Sequence, residues 1–201
     1  MSVSVPSNVS EEGHMTNKND RYGIIGQLVK DVDNCTVKTG LPLPKVSYKS
    51  VQKNRMLCRT NQCGCYNSSW TCPPNCGTEE FCIERISSYK ESDVIMKRYD
   101  NVDFSNKEMV DSMMNGFREI CRDVMIGCRK AGFDVIAFAD GPCSYCKECA
   151  FKVGKKCYHP DMQVPSVSGY GIDMTDYLKE AGIEFGFSKD SVTLYGIILF
   201  K

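Results

Sequence analysis

Long apolar runs, an excess of charge of one sign and an N-terminal export segment are all missing from this sequence of 201 residues. The longest apolar stretches, such as 135–139 and 196–200, are far shorter than the roughly 20 residues with which a helix crosses a bilayer. An export signal needs an apolar segment near the N-terminus, where this chain is polar. These absences predict a cytoplasmic protein that is not bound to a membrane.

The charges balance, with 25 Lys and Arg against 25 Asp and Glu. Nucleic-acid binding usually requires a basic excess or patch, so nucleic acid is not indicated as a partner. The sequence also lacks a glycine-rich phosphate loop, a serine nucleophile elbow and a His-Glu-x2-His motif. Those enzyme classes are not predicted, and whether the chain is an enzyme stays open.

Cysteine, in contrast, is abundant at 13 residues. Outside a secreted chain, this density indicates metal binding or redox chemistry rather than a disulfide framework. With 42% hydrophobic and 25% charged residues, the chain has the composition of an ordinary folded domain. We expect residues 21–201 to form a single metal-binding α/β domain. The polar residues 1–20 are expected to be disordered, and Gly13, His14 and Met15 resemble a cloning remnant.

Apolar periodicity predicts alternating helices and strands. Four helices are predicted. One spans 106–130, and the others begin after Arg21 and after the capping residues Thr78 and Asp173. The predicted strands are 45–48, 94–96, 133–139 and 191–200. We expect 133–139 to be the central strand, and residues 57–77 to form an irregular loop. The predicted fold class is α/β or α+β, with a mixed sheet, flanking helices and a cysteine-rich region that binds a cluster.

Three cysteines fall on the apolar faces of predicted helices. They are Cys82, Cys121 and Cys128. A thiol packs well as a small apolar group on a buried face. We therefore predict that these three belong to the core and bind no metal.

The most specific motif follows the predicted strand 133–139. Cys143, Cys146, Cys149 and Cys157 form a Cys-x2-Cys-x2-Cys-x7-Cys pattern. Three thiolates at x2 spacing let one loop present a sulfur to each of three irons in a cuboidal cluster, and Cys157 is the nearest candidate for the fourth iron. This pattern predicts a [4Fe–4S] cluster.

Zinc is the alternative metal, because four thiolates also make a tetrahedral structural site. The spacing favours the cluster, since structural zinc sites usually pair two separated Cys-x2-Cys segments. His159 is a further candidate ligand, but a surface role is favoured because four cysteines already complete a site. The nearby lysines either offset an anionic cluster or form a solvated face; they are Lys147, Lys152, Lys155 and Lys156.

A second concentration of five thiols lies within 19 residues: Cys58, Cys63, Cys65, Cys72 and Cys76. Because the predicted loop has no other evident source of order, we expect a metal to hold it, with Trp70 as an apolar lid. Cys58, Cys63 and Cys72 are the predicted ligands, and Cys65 or Cys76 is the less certain fourth. A second cluster would then be present. In the alternative, these are loop thiols without a metal of their own, and Cys72 supplies a ligand to the C-terminal cluster.

Together the two concentrations resemble a family of uncharacterised predicted metal-binding proteins, domain of unknown function 2284. Its first motif matches Cys58, Cys63 and the Trp-x-Cys-Pro-Pro segment that contains Cys72, and its second matches Cys143, Cys146, Cys149 and Cys157. Pro165-Ser166 and Gly171-Ile172-Asp173 match a third. The chain departs from the pattern at Asn67, where Gly is usual, and at 167–169, where Met-Glu-Ala is common; Cys65 and Cys76 are additional. The resemblance implies metal binding and no particular reaction.

Three functions are compatible with these motifs. The first is electron transfer to a redox partner protein, with basic residues guiding the docking. The second is an enzyme or cofactor-handling protein in which an open iron site binds a small-molecule substrate. The third is a structural zinc module. The redox or accessory role is favoured, because a simple cluster protein needs no further machinery.

Overall fold

The sheet is built on β4, the apolar C-terminal segment Ser191–Phe200. In the computed structural model, which describes residues 18–201 with side chains from residue 21 onward, β4 pairs along its whole length with β2 (Glu91–Asp100). β1 (Cys35–Leu41) pairs with β2, and β3 (Val135–Phe138) pairs with β4, which gives the order β1-β2-β4-β3. These pairings are antiparallel, so the fold is of the α+β kind.

The described helices are α1 (Lys18–Val29), α2 (Tyr48–Arg59), α3 (Glu79–Ser87), α4 (Lys107–Lys130) and α5 (Met174–Glu180). Both predicted caps are present, because Thr78 accepts a hydrogen bond from Phe81 N and Asp173 accepts one from Asp176 N. The Asp173 carboxylate also accepts a 2.9 Å bond from Lys53, which lowers its pKa. Among these described helices, none combines the length and apolarity needed to cross a membrane.

Each face of the sheet has its own apolar layer. Successive residues of β4 point to opposite faces, so Ile197 and Leu199 pack with α2, α3 and α5, while Ile198 and Phe200 pack with α1 and α4. The predicted stripe of α4 is confirmed, and its buried members include Phe117. The sheet is therefore covered on both sides, and the cysteine-rich segments lie beyond the end of β3.

Two predictions about strands are wrong. The segment 45–48 is not a strand, because Ser47 forms a capping box with Ser50 and begins α2; the strand lies earlier, at Cys35–Leu41. The segment 133–139 is not central, because β3 is at the edge of the sheet. All four residues of β3 are buried, because the strand is covered on both faces, and its composition is therefore as apolar as that of a central strand. Residues 1–17, including the supposed cloning remnant, lie outside the described part of the chain.

The three cysteines predicted to be core residues are fully buried: Cys82, Cys121 and Cys128 are each 0% exposed. Burial raises the pKa of Cys128 to about 11, so this thiol stays protonated at neutral pH. Cys121 packs directly on the sheet, where a Cβ added at Gly196 would lie 2.3 Å from its sulfur.

Replacing Cys128 with alanine should leave the metal content of the protein unchanged. We expect a loss of about 1 kcal/mol in the free energy of unfolding, as for other small truncations in a packed core. Denaturant unfolding and metal analysis of the same preparation would measure both quantities. Loss of a metal equivalent would contradict the assignment of Cys128 to the core.

Candidate metal centre

The four cysteines of the C-terminal motif line one cavity. The chain leaves β3, turns at Gly141 and enters a loop that carries Cys143, Cys146 and Cys149, followed by a short 3-10 turn (Ala150–Val153) and then Cys157. The cavity has a volume of about 20 Å³, and all four cysteines are partly exposed. The structure thus places the four cysteines of the motif around one cavity.

The pKa of Cys146 reflects this arrangement. Burial raises it, and the neighbouring sulfurs of Cys143, Cys157 and Cys149 raise it further, since each disfavours a second negative charge. Within the described part of the chain, no three Cys, His, Asp or Glu side chains converge closely enough to hold a single metal ion. Four thiols spread around one cavity suit a cluster, whose irons each take one sulfur, better than a single ion.

A buried arginine lies beside this cavity and was missed by the sequence analysis. Arg122 is only 4% exposed, and its guanidinium donates to Met162 O at 2.9 Å. Its Nη2 lies 3.9 Å from Cys143 Sγ, and it stacks over the Tyr145 ring at 5.1 Å. The fold therefore places a buried positive charge next to the gathered thiols, where it offsets negative charge. The four predicted lysines are exposed, and Lys152 faces Glu148 at 3.8 Å.

His159 lies at the mouth of the same cavity. It is exposed, and its ring packs edge-on against Tyr145 with 5.1 Å between the ring centroids. This exposure is compatible with the surface role favoured from the sequence. The four cysteines supply the donors without it.

Trp70 covers the C-terminal cavity rather than its own loop. Its indole N–H donates to Lys155 O at 3.0 Å, and its ring packs edge-on against Phe151 at 5.2 Å. The next residue, Thr71, accepts a 2.7 Å hydrogen bond from Cys143 N through its hydroxyl and another from Ser166 N through its carbonyl. The lid predicted for the first concentration therefore belongs to the second, and Thr71 joins the two regions.

The first concentration is also brought together by the fold. Cys58 lies in the last turn of α2, Cys63 is exposed, and Cys72 is buried. Burial and the neighbouring Cys63 raise the pKa of Cys58 and raise that of Cys65 to about 11. Burial raises the pKa of Cys72 to about 12, with smaller effects of Cys65, Cys76 and Cys63. Cys65 lies beside Cys63, because its thiol donates to Cys63 O at 3.2 Å.

Cys76 has different surroundings from the other four. Arg55 Nη2 lies 3.5 Å from its sulfur and 3.3 Å from that of Cys82. A hydrogen bond from the Cys82 thiol and the Arg55 guanidinium lower the pKa of Cys76, because both stabilise the thiolate. Cys82 is a core residue as predicted, yet it also supports Cys76, which the sequence analysis did not foresee.

Backbone and side-chain hydrogen bonds of three asparagines order the loop that follows α2. Asn61 Oδ1 accepts from Tyr66 N at 2.9 Å, Asn67 N donates to Pro73 O at 2.8 Å, and Asn75 bonds Asn67 at 3.1 Å. The expectation that nothing but a metal could order this loop is therefore wrong. Asn67 has a φ of +53°, which glycine and asparagine adopt most readily, and this explains why Asn replaces the usual Gly.

A second buried arginine lies between the two cysteine concentrations. Arg118 is 6% exposed and donates to Asp140 O at 2.6 Å. Burial lowers its pKa, and the nearby Cys65, Asp140, Cys72 and Cys143 oppose this effect. Gly141 has a φ of +81°, and a Cβ there would lie 2.3 Å from Arg118 Nη2, so this position requires glycine. The sequence does contain a signal for these buried cations, which the sequence analysis overlooked: Arg118 and Arg122 lie four residues apart beside the apolar stripe of α4.

A family model supports a metal-binding role for this region. The model described as "Predicted metal-binding protein (DUF2284)" matches residues 43–200 and includes both cysteine concentrations. No curated protein and no solved structure matches the chain significantly. The family match covers well over half of the sequence and agrees with the resemblance found in its motifs. The chain therefore belongs to the DUF2284 family of predicted metal-binding proteins.

Proposed function

We propose that this protein is an iron–sulfur protein in which Cys143, Cys146, Cys149 and Cys157 hold a [4Fe–4S] cluster and through which electrons pass to a partner protein. The observation that carries the proposal is the lining of one cavity by all four cysteines, three of them from a single loop. Such a cluster gains and loses electrons singly. The protein's own contribution is to hold the thiolates, shield them and set the charge around them.

The surroundings of the cavity support a cluster in preference to structural zinc. Three ligands on one loop are unusual for zinc, which is commonly held by two separated pairs of cysteines. Arg122 adds a buried cation at 3.9 Å from Cys143, and Trp70 covers the site with an apolar ring. Both features tune an anionic redox centre, because charge and solvent access set its potential.

We also propose a second metal site at Cys58, Cys63 and Cys72, completed by Cys65 or Cys76. Its support is the placement of these thiols: Cys58 lies in the last turn of α2, and Cys65 donates to Cys63 O at 3.2 Å in the loop that follows. Cys76 is the less suitable fourth ligand, since its buried sulfur already pairs with Arg55 at 3.5 Å, whereas Cys65 lies beside Cys63. Cys65 is therefore our candidate to complete the set.

The surface over the C-terminal site suits an acidic partner. Tyr145, Val153 and Tyr158 are large apolar side chains that are 42%, 60% and 58% exposed. The exposed lysines of the same segment, at positions 147, 152, 155 and 156, add positive charge around them. An apolar contact with a cationic rim favours a redox partner with an acidic docking face, whose on-rate would fall with rising salt.

Anaerobic purification tests the proposal directly. We expect brown protein that contains iron and acid-labile sulfide, absorbs broadly in the visible range and is bleached by air. Reduction should be reversible and should give an electron paramagnetic resonance signal. Colourless protein that contains stoichiometric zinc, and takes up no iron during anaerobic reconstitution, would contradict it in favour of a structural zinc module.

A further inference from the structure

An open groove of about 470 Å³ separates the two cysteine concentrations. Cys76 from the first and Cys157 from the second both line it. The rest of its wall includes three aromatic residues, Trp70, Phe81 and Tyr170, and two cationic residues, Arg85 and Lys156. Its volume is in the range of pockets that bind small molecules.

Arg85 is held in place without a carboxylate partner among the described residues. One of its N–H groups donates to the Tyr170 hydroxyl at 3.0 Å. Its guanidinium also lies 5.6 Å from the Phe81 ring and 5.9 Å from the Tyr170 ring. A guanidinium has five N–H groups, so most of its donors stay free for an anion. Lys156 adds a second cation, and the residues that line the groove include no acid.

Three aromatic residues make the groove wall partly apolar. Phe81 is 44% exposed, although it lies on the first turn of α3, where a polar residue would be expected on the outer side. It packs against the buried Tyr170 with 6.3 Å between ring centroids. An exposed ring beside an oriented arginine is suited to stacking on a planar ligand whose charge meets the guanidinium.

We propose that this groove binds a planar aromatic small molecule that carries a carboxylate or phosphate group. The ring of the ligand lies against Phe81 and Trp70, and its anionic group bonds Arg85 and Lys156. Asn75 and Gln163 add neutral polar groups to the wall. This binding site goes beyond the proposed electron transfer and does not depend on which metal the cysteines hold.

Calorimetric titration with 2-naphthoate tests the groove, with 2-naphthamide as an uncharged ligand of the same shape. We expect saturable binding of 2-naphthoate to the anaerobically purified protein and about tenfold weaker binding of the amide, because the charged hydrogen bonds to Arg85 are lost. The variant Arg85→Gln should weaken 2-naphthoate binding by a similar factor. The matched control Lys189→Gln, which removes an exposed cation outside the groove, should leave it unchanged.

Two further variants keep the test decisive if Arg85→Gln folds poorly. Phe81→Ala and Lys156→Gln change exposed side chains, and each should weaken 2-naphthoate binding several-fold. Circular dichroism would verify that each variant is folded. The proposal is overturned if 2-naphthoate gives no saturable heat at millimolar concentration, or if it binds the folded groove variants as tightly as the unaltered protein. Because heat of binding is measured, failure here is distinct from failure to find iron.

Discussion

Replacing Cys146 with serine is expected to remove the iron and sulfide that we propose the C-terminal cysteines hold. Cys146 is the middle ligand of the Cys-x2-Cys-x2-Cys run, and its pKa responds to all three of its partner cysteines. A serine hydroxyl ionises too weakly to replace a thiolate ligand at neutral pH. Iron and sulfide analysis after anaerobic reconstitution would measure the loss, together with the visible absorption.

The buried variant Cys128→Ala is the matched control for this experiment. It also removes one thiol, but from the core, where Cys128 is 0% exposed. We expect it to retain the iron that Cys146→Ser loses. Equal iron in both variants would show that the C-terminal motif does not hold the metal.

Replacing Cys63 with alanine should remove one site's worth of metal and leave the C-terminal site loaded. Cys63 is exposed, so in the metal-free protein the substitution should change the free energy of unfolding by less than about 0.5 kcal/mol. Cys63 raises the pKa of Cys58, Cys65 and Cys72, so its removal should affect the other thiols of the first concentration most directly. The number of metal equivalents per chain, measured in this variant and in Cys146→Ser, would show how much metal each site holds.

The remaining outcomes of the Cys63 experiment discriminate between the alternatives. Unchanged metal content would refute a second site and leave these thiols as loop residues. Loss of all metal from a variant that remains folded would point to one cluster shared by both concentrations. The latter outcome would give Cys72 a direct role at the C-terminal site, next to Thr71, which already lines that cavity.

Most of the regular structure could be predicted from periodicity and capping. The stripe of α4, the caps Thr78 and Asp173 and the strand β4 are set by neighbours in sequence, and all are present. The strand predicted at 45–48 failed on a local feature, the capping box of Ser47 and Ser50, whereas the place of β3 depends on long-range packing. β3 has the composition of a central strand because it is buried on both faces, yet it pairs with β4 alone among the named strands.

The cysteine motifs can be located in the sequence, but their surroundings could not be predicted from it. The x2 spacing of Cys143, Cys146 and Cys149 is a local property of one loop. The approach of Arg122 from α4, and of Trp70 from a distant loop, depends on how separate segments pack. Periodicity marks which positions face the core, and it does not say which charged neighbours of that stripe are buried.

Hydrogen bonds of Thr71 couple the ordering of the two cysteine regions. The Thr71 hydroxyl accepts a 2.7 Å hydrogen bond from Cys143 N, and the Thr71 carbonyl accepts one from Ser166 N. These bonds form only when the chain before Cys72 and the loop that begins at Cys143 are both ordered. Whatever immobilises one loop therefore reduces the conformational entropy that the other must lose. By thermodynamic linkage the benefit is equal in both directions, so a metal bound by either region would favour metal binding by its neighbour.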